Sequence, residues 1–166
     1  GLSEKLSLVF PVEHCKRPEI ITTNIQDSQW VPGFIDGEGS FFVNVFKAND
    51  TKTKYRVKLM FRIAQNDRDL NLINLIIKFL DCEAILRKAS SGSHLHIVDL
   101  NVTKLSEINT KIIPFLLAYN LKSTKSKDFL DFCKVVDIIN KSEHLTSEGI
   151  IKILEIKNGM NKNRNI

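Results

Sequence analysis

From residue 55 to residue 64 the chain alternates without a break between an oily set and a largely cationic set of side chains. Tyr55, Val57, Leu59, Phe61 and Ile63 hold the odd positions, and Arg56, Lys58, Met60, Arg62 and Ala64 hold the even ones. Successive side chains of a β-strand point to opposite faces, so this pattern predicts a strand with one face for a core and one for solvent or a ligand. The segment before it does the same, with Phe41, Val43 and Val45 in one register and Ser40, Phe42, Asn44 and Phe46 in the other. A polar turn across residues 49–53 separates the two runs, which together read as a long antiparallel hairpin.

The charge of the chain is concentrated there. Residues 40–65 hold six bases (Lys47, Lys52, Lys54, Arg56, Lys58 and Arg62) and one acid, Asp50, a balance of +5 that equals the net charge of the whole protein. A localised basic strip is the footprint of a polyanion binder, and a solvated sheet face would carry the same pattern. A two-stranded ribbon also fits the major groove of B-DNA, where Arg, Lys and Asn can bond base edges and phosphates.

With 166 residues, 43% hydrophobic and 26% charged, the chain is long enough for one compact core or two small lobes. Its longest uncharged apolar run, residues 112–121, is ten residues long and contains Pro114. That is well short of the roughly 20 that span a bilayer, so the chain reads as soluble, with no membrane partner. Cys15, Cys82 and Cys133 form neither a CxxC pair nor an even framework and read as buried thiols in a reducing compartment. Together with His14, His94, His96 and His144 they show no zinc spacing. Glu4, Glu13, Glu19 and Asp27 argue against a secretory or transit peptide, giving the expectation of a mature start.

Other elements are read from periodicity. Leu70, Leu72, Ile73, Ile76, Ile77 and Leu80 form a helical stripe begun by Asn66 or Asp67, and Phe129, Phe132, Cys133, Val136 and Ile139 form another. Thr146 can cap a last helix ending at Asn158 and Gly159. Two short strands are expected at residues 85–88 and 94–98, around a polar turn at 90–93. On them Arg87, His94 and His96 either extend the basic face or stand as ordinary strand residues facing water.

Just ahead of the hairpin lies WVPGFIDGEGSF, residues 30–41. Asp27 or Ser28 can cap a short helix here, Gly33 and Gly37 lie four residues apart on one helical face, and Gly39 ends the helix before the strand. Two glycines on one face permit very close helix packing. Asp36 and Glu38 sit at the C-terminal end, where the helix dipole disfavours anions, which suggests a cation or a partner's donors.

This segment resembles the LAGLIDADG motif of the homing endonucleases, with Val31, Pro32, Gly33, Phe34, Ile35, Asp36, Gly37, Glu38 and Gly39 in its nine positions. Residues 61–82, 112–132 and 144–161 look like further segments of the group carried in fungal organellar introns. The resemblance implies an α+β lobe of αββαββα type with a saddle-shaped antiparallel sheet. It divides the chain into a linker-like segment (1–28), the lobe (29–160) and a basic tail (161–166).

By the same resemblance the lobe is half of a site-specific endonuclease that makes a staggered double-strand break in DNA. Glu38, with the carbonyl of Gly37, would hold a divalent cation, Mg²⁺ or else Mn²⁺ or Ca²⁺, hard ions that prefer oxygen ligands. Gln65 would orient water, and a lysine near the scissile phosphate would be Lys125 in preference to Lys122. DNA would be read by Ser40, Phe42, Asn44, Phe46, Arg56, Lys58, Met60, Arg62, Arg87, His94 and His96. Gly33, Phe34, Asp36 and Gly37 would pack against a second lobe, a second copy in preference to a separate amino-terminal half. Pro32 stands where the motif has a small alanine, and a proline past the first turn would start the helix later. Two other functions fit the same lobe: an intron RNA maturase, and a DNA-binding protein that does not cleave. A mitochondrial location follows from the organellar introns.

Overall fold

A computed structural model describes residues 24–25, 27–88 and 96–161. His94, Cys15, the turn at residues 90–93, most of the linker-like segment and the tail past Asn161 lie outside the described residues.

The hairpin forms with the two faces that the alternation predicts. Strand β1 (Gly39–Lys47) pairs antiparallel with β2 (Tyr55–Asn66), with Phe41 opposite Phe61 and Val43 opposite Leu59. Those four are buried, while Asn44, Phe46, Arg56 and Lys58 are exposed on the other face. β3 (Ile85–Lys88) pairs with β4 (Ile97–Val102), and β4 pairs with the far side of β2, giving the strand order β1-β2-β4-β3. The fourth strand runs Ile97–Val102 and not over residues 94–98: it continues past residue 98 because Val98, Leu100 and Val102 alternate into the core. His96 lies just before the strand, not on it.

Helices cover the inner face. α1 (Trp30–Glu38) precedes β1, and α2 (Leu70–Leu80) follows β2 after a tight turn in which Asn66 Oδ1 accepts the N–H of Arg68. After β4 come α3 (Leu105–Glu107), a widened π turn (Ile108–Ile112) and α4 (Ile113–Tyr119). The widened turn falls just before Pro114, whose ring and missing N–H do not fit a regular α ladder. α5 (Lys125–Asn140) and α6 (Ser147–Asn158) complete the lobe, and Thr146 caps α6 by accepting the N–H of Gly149 at 3.0 Å. The αββαββ order is as expected; the closing helical part has several members. Among the described residues no helix is long and apolar enough to cross a membrane.

One core joins these layers. Phe41, fully buried, has its ring centroid 5.5 Å from Phe61 and 5.4 Å from both Phe129 and Phe132, linking the sheet to α5. Ile73, Ile76 and Leu80 of α2, with Val31 and Ile35 of α1, pack into the same core.

Pro32 does not delay α1. It is the third residue of the helix, inside the first turn, where its N–H would have had no helical acceptor, and its ring is buried. Neither Asp27 nor Ser28 is the capping residue: Gln29 is, and Asp27 Oδ1 accepts its N–H at 2.8 Å. At the other end Gly39 is required by proximity. A Cβ there would lie 2.7 Å from the Ile35 carbonyl oxygen.

Truncating Phe41 to Ala should cost about 3–5 kcal/mol of unfolding free energy. Phe46→Ala, on the exposed face, should stay within about 0.5 kcal/mol of the parent. Chemical denaturation of both variants checks the division of the sheet; equal losses would contradict it.

Candidate nucleic-acid interface and acidic helix end

α1 presents two different faces. Val31, Pro32 and Ile35 are buried, whereas Gly33, Gly37 and Glu38 are exposed, and a Cβ added at Gly33 or Gly37 would meet nothing within 4 Å. Trp30, 41% exposed, stacks on half-buried Phe34 at 5.2 Å between centroids. The glycine face is therefore bare among the described residues.

Asp36 turns the other way and is engaged within its own chain. Its Oδ2 accepts the backbone N–H groups of Lys122 (3.0 Å) and Ser123 (2.9 Å), and its Oδ1 accepts the Ser123 hydroxyl at 2.6 Å. The same hydroxyl oxygen accepts the N–H of Lys125 at 3.1 Å, passing the carboxylate's hold on to the start of α5. Partial burial pushes the Asp36 carboxyl upward, but the Ser123 hydroxyl, the two N–H donors and the nearby Lys125 charge outweigh it. The carboxyl is left below its usual range.

Lys125 answers from the opposite side. Its ammonium donates to the carbonyls of Ile35 (3.2 Å) and Gly37 (2.9 Å), which are among the last acceptors of α1. α1 has no basic residue in its own last turn, so the Lys125 ammonium complements the dipole there, adding to the Gly39 N–H already on the Ile35 carbonyl and supplying a donor to that of Gly37. Burial lowers the Lys125 pKa, against the pull of Asp36, Glu38 and Asp128. Of the two expected lysines, then, the structure brings the Lys125 side chain to the acidic helix end. Lys122 contributes its backbone N–H there and is itself exposed.

Glu38 and the Gly37 carbonyl are hard oxygen donors side by side at the end of α1, a donor pair chemically suited to Mg²⁺ or Ca²⁺. Among the described residues no group of three or more His, Cys, Asp or Glu could hold a metal. Half-buried Gln65 pairs with Val98 at the end of β2, two residues past the Gly39–Ile63 pair that starts the hairpin ladder.

The outward face of the sheet carries Ser40 opposite Arg62, Phe42 opposite Met60, Asn44 opposite Lys58 and Phe46 opposite Arg56. Arg56 is ion-paired with Asp50 in the exposed turn. Arg87 lies on the same face, directly opposite Asp99. His96 instead contacts Asp67 through Nδ1 at 3.2 Å, and its carbonyl accepts the Asp67 N–H, which ties it to the turn after β2. Two polar residues escaped the sequence reading: Asp99, which accepts from Arg62, and Asn101, 5% exposed, whose Nδ2 donates to the Ile85 carbonyl. The apolar even positions 98, 100 and 102, which leave 99 and 101 to the outward face, were the available signal. Cys82 is a buried thiol and Cys133 a half-buried one, both pushed up to about 11 by desolvation, helped by the nearby acids Glu107 and Asp137 respectively.

A family model described as LAGLIDADG endonuclease matches residues 31–136. The "Probable intron-encoded endonuclease 2" of Neurospora crassa is 32% identical over 98% of this chain, which spans 37% of that protein. Among solved structures, I-LtrWI bound to target DNA is 40% identical with a TM-score of 0.90, over 99% of this chain and 54% of that one. I-SmaMI bound to cleaved DNA is 38% identical with a TM-score of 0.90 over the same shares. Another I-SmaMI structure holds an uncleaved DNA target in the presence of calcium ions.

Asp36→Ala should lose about 1–3 kcal/mol at neutral pH, the range for a charged acceptor at a helix start. The Asp36 pKa is lower folded than unfolded, so its contribution is complete above the unfolded value of about 4 and fades as pH falls through the folded value. Denaturation at stepped pH should therefore show parent and variant converging only in acid. A constant gap would contradict the clamp.

Proposed function

The chain belongs to the LAGLIDADG endonuclease family, and on that premise we propose that it acts as one lobe of a site-specific, divalent-metal-dependent DNA endonuclease making a staggered double-strand break. The observation that carries the reading is the pairing of an exposed carboxylate, Glu38, with a sheet whose outward face is basic and begins two residues later at Ser40. The likeness to I-LtrWI and I-SmaMI, whose structures contain DNA, supports it.

Each residue has a task in this proposal. Glu38 and the Gly37 carbonyl hold the cation, which when bound supplies Lewis-acid stabilisation of the phosphate and of the leaving oxygen. The Lys125 ammonium, already at the end of α1, neutralises phosphate charge. Gln65, at the strand end, orients water. Ser40, Phe42, Asn44, Phe46, Arg56, Lys58, Met60, Arg62 and Arg87 face the duplex.

The bare Gly33 and Gly37 face of α1, with Phe34 at its border, is proposed as the seat of a second lobe. One carboxylate per lobe leaves the metal site half-built without it. This chain covers 54% of the I-LtrWI and I-SmaMI chains, which favours a second lobe of similar size on a longer polypeptide over two identical copies. The fungal, intron-encoded relatives support a mitochondrial location.

Glu38→Gln should leave DNA binding within a few-fold of the parent while Mg²⁺-dependent cleavage of a target plasmid drops more than the roughly 100-fold that loss of an outer-sphere metal partner costs. Gel-resolved cleavage beside a binding titration reads both. Unchanged cleavage by the variant would reject the assignment.

A further inference from the structure

Arg62 differs from the other cations of the outward face because its direction is fixed. It donates through Nε (3.0 Å) and Nη2 (2.7 Å) to one and the same oxygen, Oδ1 of Asp99. The side chains are 34% and 21% exposed and lie on β2 and β4, the two inner strands of the sheet. Arg56, by contrast, pairs in an exposed turn with both partners more than half exposed.

The way in which Arg62 is held matters more than the pairing. Side-on engagement uses Nε and one proton of Nη2. The end-on fork, Nη1 with the second Nη2 proton, has no partner among the described residues, nor does Asp99 Oδ2. A charge cancelled by its neighbour contributes little to sequence-independent attraction for phosphates. A guanidinium locked by an acid, with its two end-on donors still available, has the fork that matches the O6 and N7 acceptors of guanine in the major groove. Arg87, exposed and directly across from Asp99, has no described partner and keeps its charge for phosphate.

We propose that Asp99 is a positioning residue that makes Arg62 a guanine reader in the middle of the recognition face, an inference resting on the reading that this face binds DNA. Arg87 beside it serves the backbone. The acid in the centre of a basic sheet thus serves discrimination between bases rather than strength of binding.

The test uses the full chain to enrich sequences from a pool of randomised DNA duplex. Binding to the enriched duplex and each of its single-base variants is then titrated for the parent, Arg62→Gln, Asp99→Ala and Asp99→Asn, with a thermal melt of every protein. The parent should prefer guanine at one position by roughly 5- to 150-fold, the range for a bidentate contact. Arg62→Gln and Asp99→Ala should flatten that position alone, while Asp99→Asn, which keeps an acceptor oxygen, restores part of it. Arg87→Ala should leave every preference intact and reduce the salt slope of affinity by about one. A loss of affinity spread evenly over all positions, or a melting change in the Asp99 variants with preferences unaltered, would reduce the pair to a structural cross-strand contact and overturn the proposal. Failure of the parent to enrich any sequence would remove the DNA reading itself, and this inference with it.

Discussion

Two helix ends compensate each other's charge, and the position of the acidic site depends on that exchange. The C-terminal end of α1 receives the Lys125 ammonium, and the loop leading into α5 receives the Asp36 carboxylate. Each helix thereby has the opposite charge placed against its exposed backbone groups by the other. Glu38 lies between these contacts, at the last position of α1, and its backbone cannot shift without breaking one of them. Because the two residues are about ninety positions apart in the chain, the clamp also ties the motif helix to the far half of the lobe.

Behind the clamp, the sheet separates structural and chemical tasks by parity. Inward residues such as Phe41, Phe61 and Leu100 carry the packing, so the outward ones are free to vary without emptying the core. The outward face is not uniformly basic. Asp99 sits on a central strand and binds Arg62, so the positive character is strongest toward the hairpin tip and the β3 edge.

What the sequence disclosed follows from how local the signal is. The hairpin and the two faces of its strands were legible because a period of two over ten residues has no helical equivalent. The cap at Thr146 was legible because its donor lies three residues away, whereas Asn66 caps the tight turn ahead of α2 and not the helix itself. The extent of β4 past residue 98 was not legible, since Asp99 and Asn101 interleave polar groups that resemble a loop until β2 and β3 are known to flank them. The Asp36 to Ser123 contact was not legible either: it joins residues 87 apart, and nothing in either local sequence names the other. The anions at the end of α1 did signal missing donors, and part of the answer lay within the chain itself. Pro32 was misjudged because its place within the first turn, and not its distance from the capping candidates, decides what it costs.

The close approach at Gly39 makes the junction of helix and strand a rigid gauge. With the Ile35 carbonyl where a side chain would begin, the turn from α1 into β1 has no room for a side chain at residue 39. The offset from Glu38 to the first outward strand residue is therefore fixed by covalent geometry and not by loop length. Any second lobe seated on the glycine face meets that same offset. The separation between nicks on opposite strands would then be a constant of the joint, indifferent to changes in the residues that choose the target.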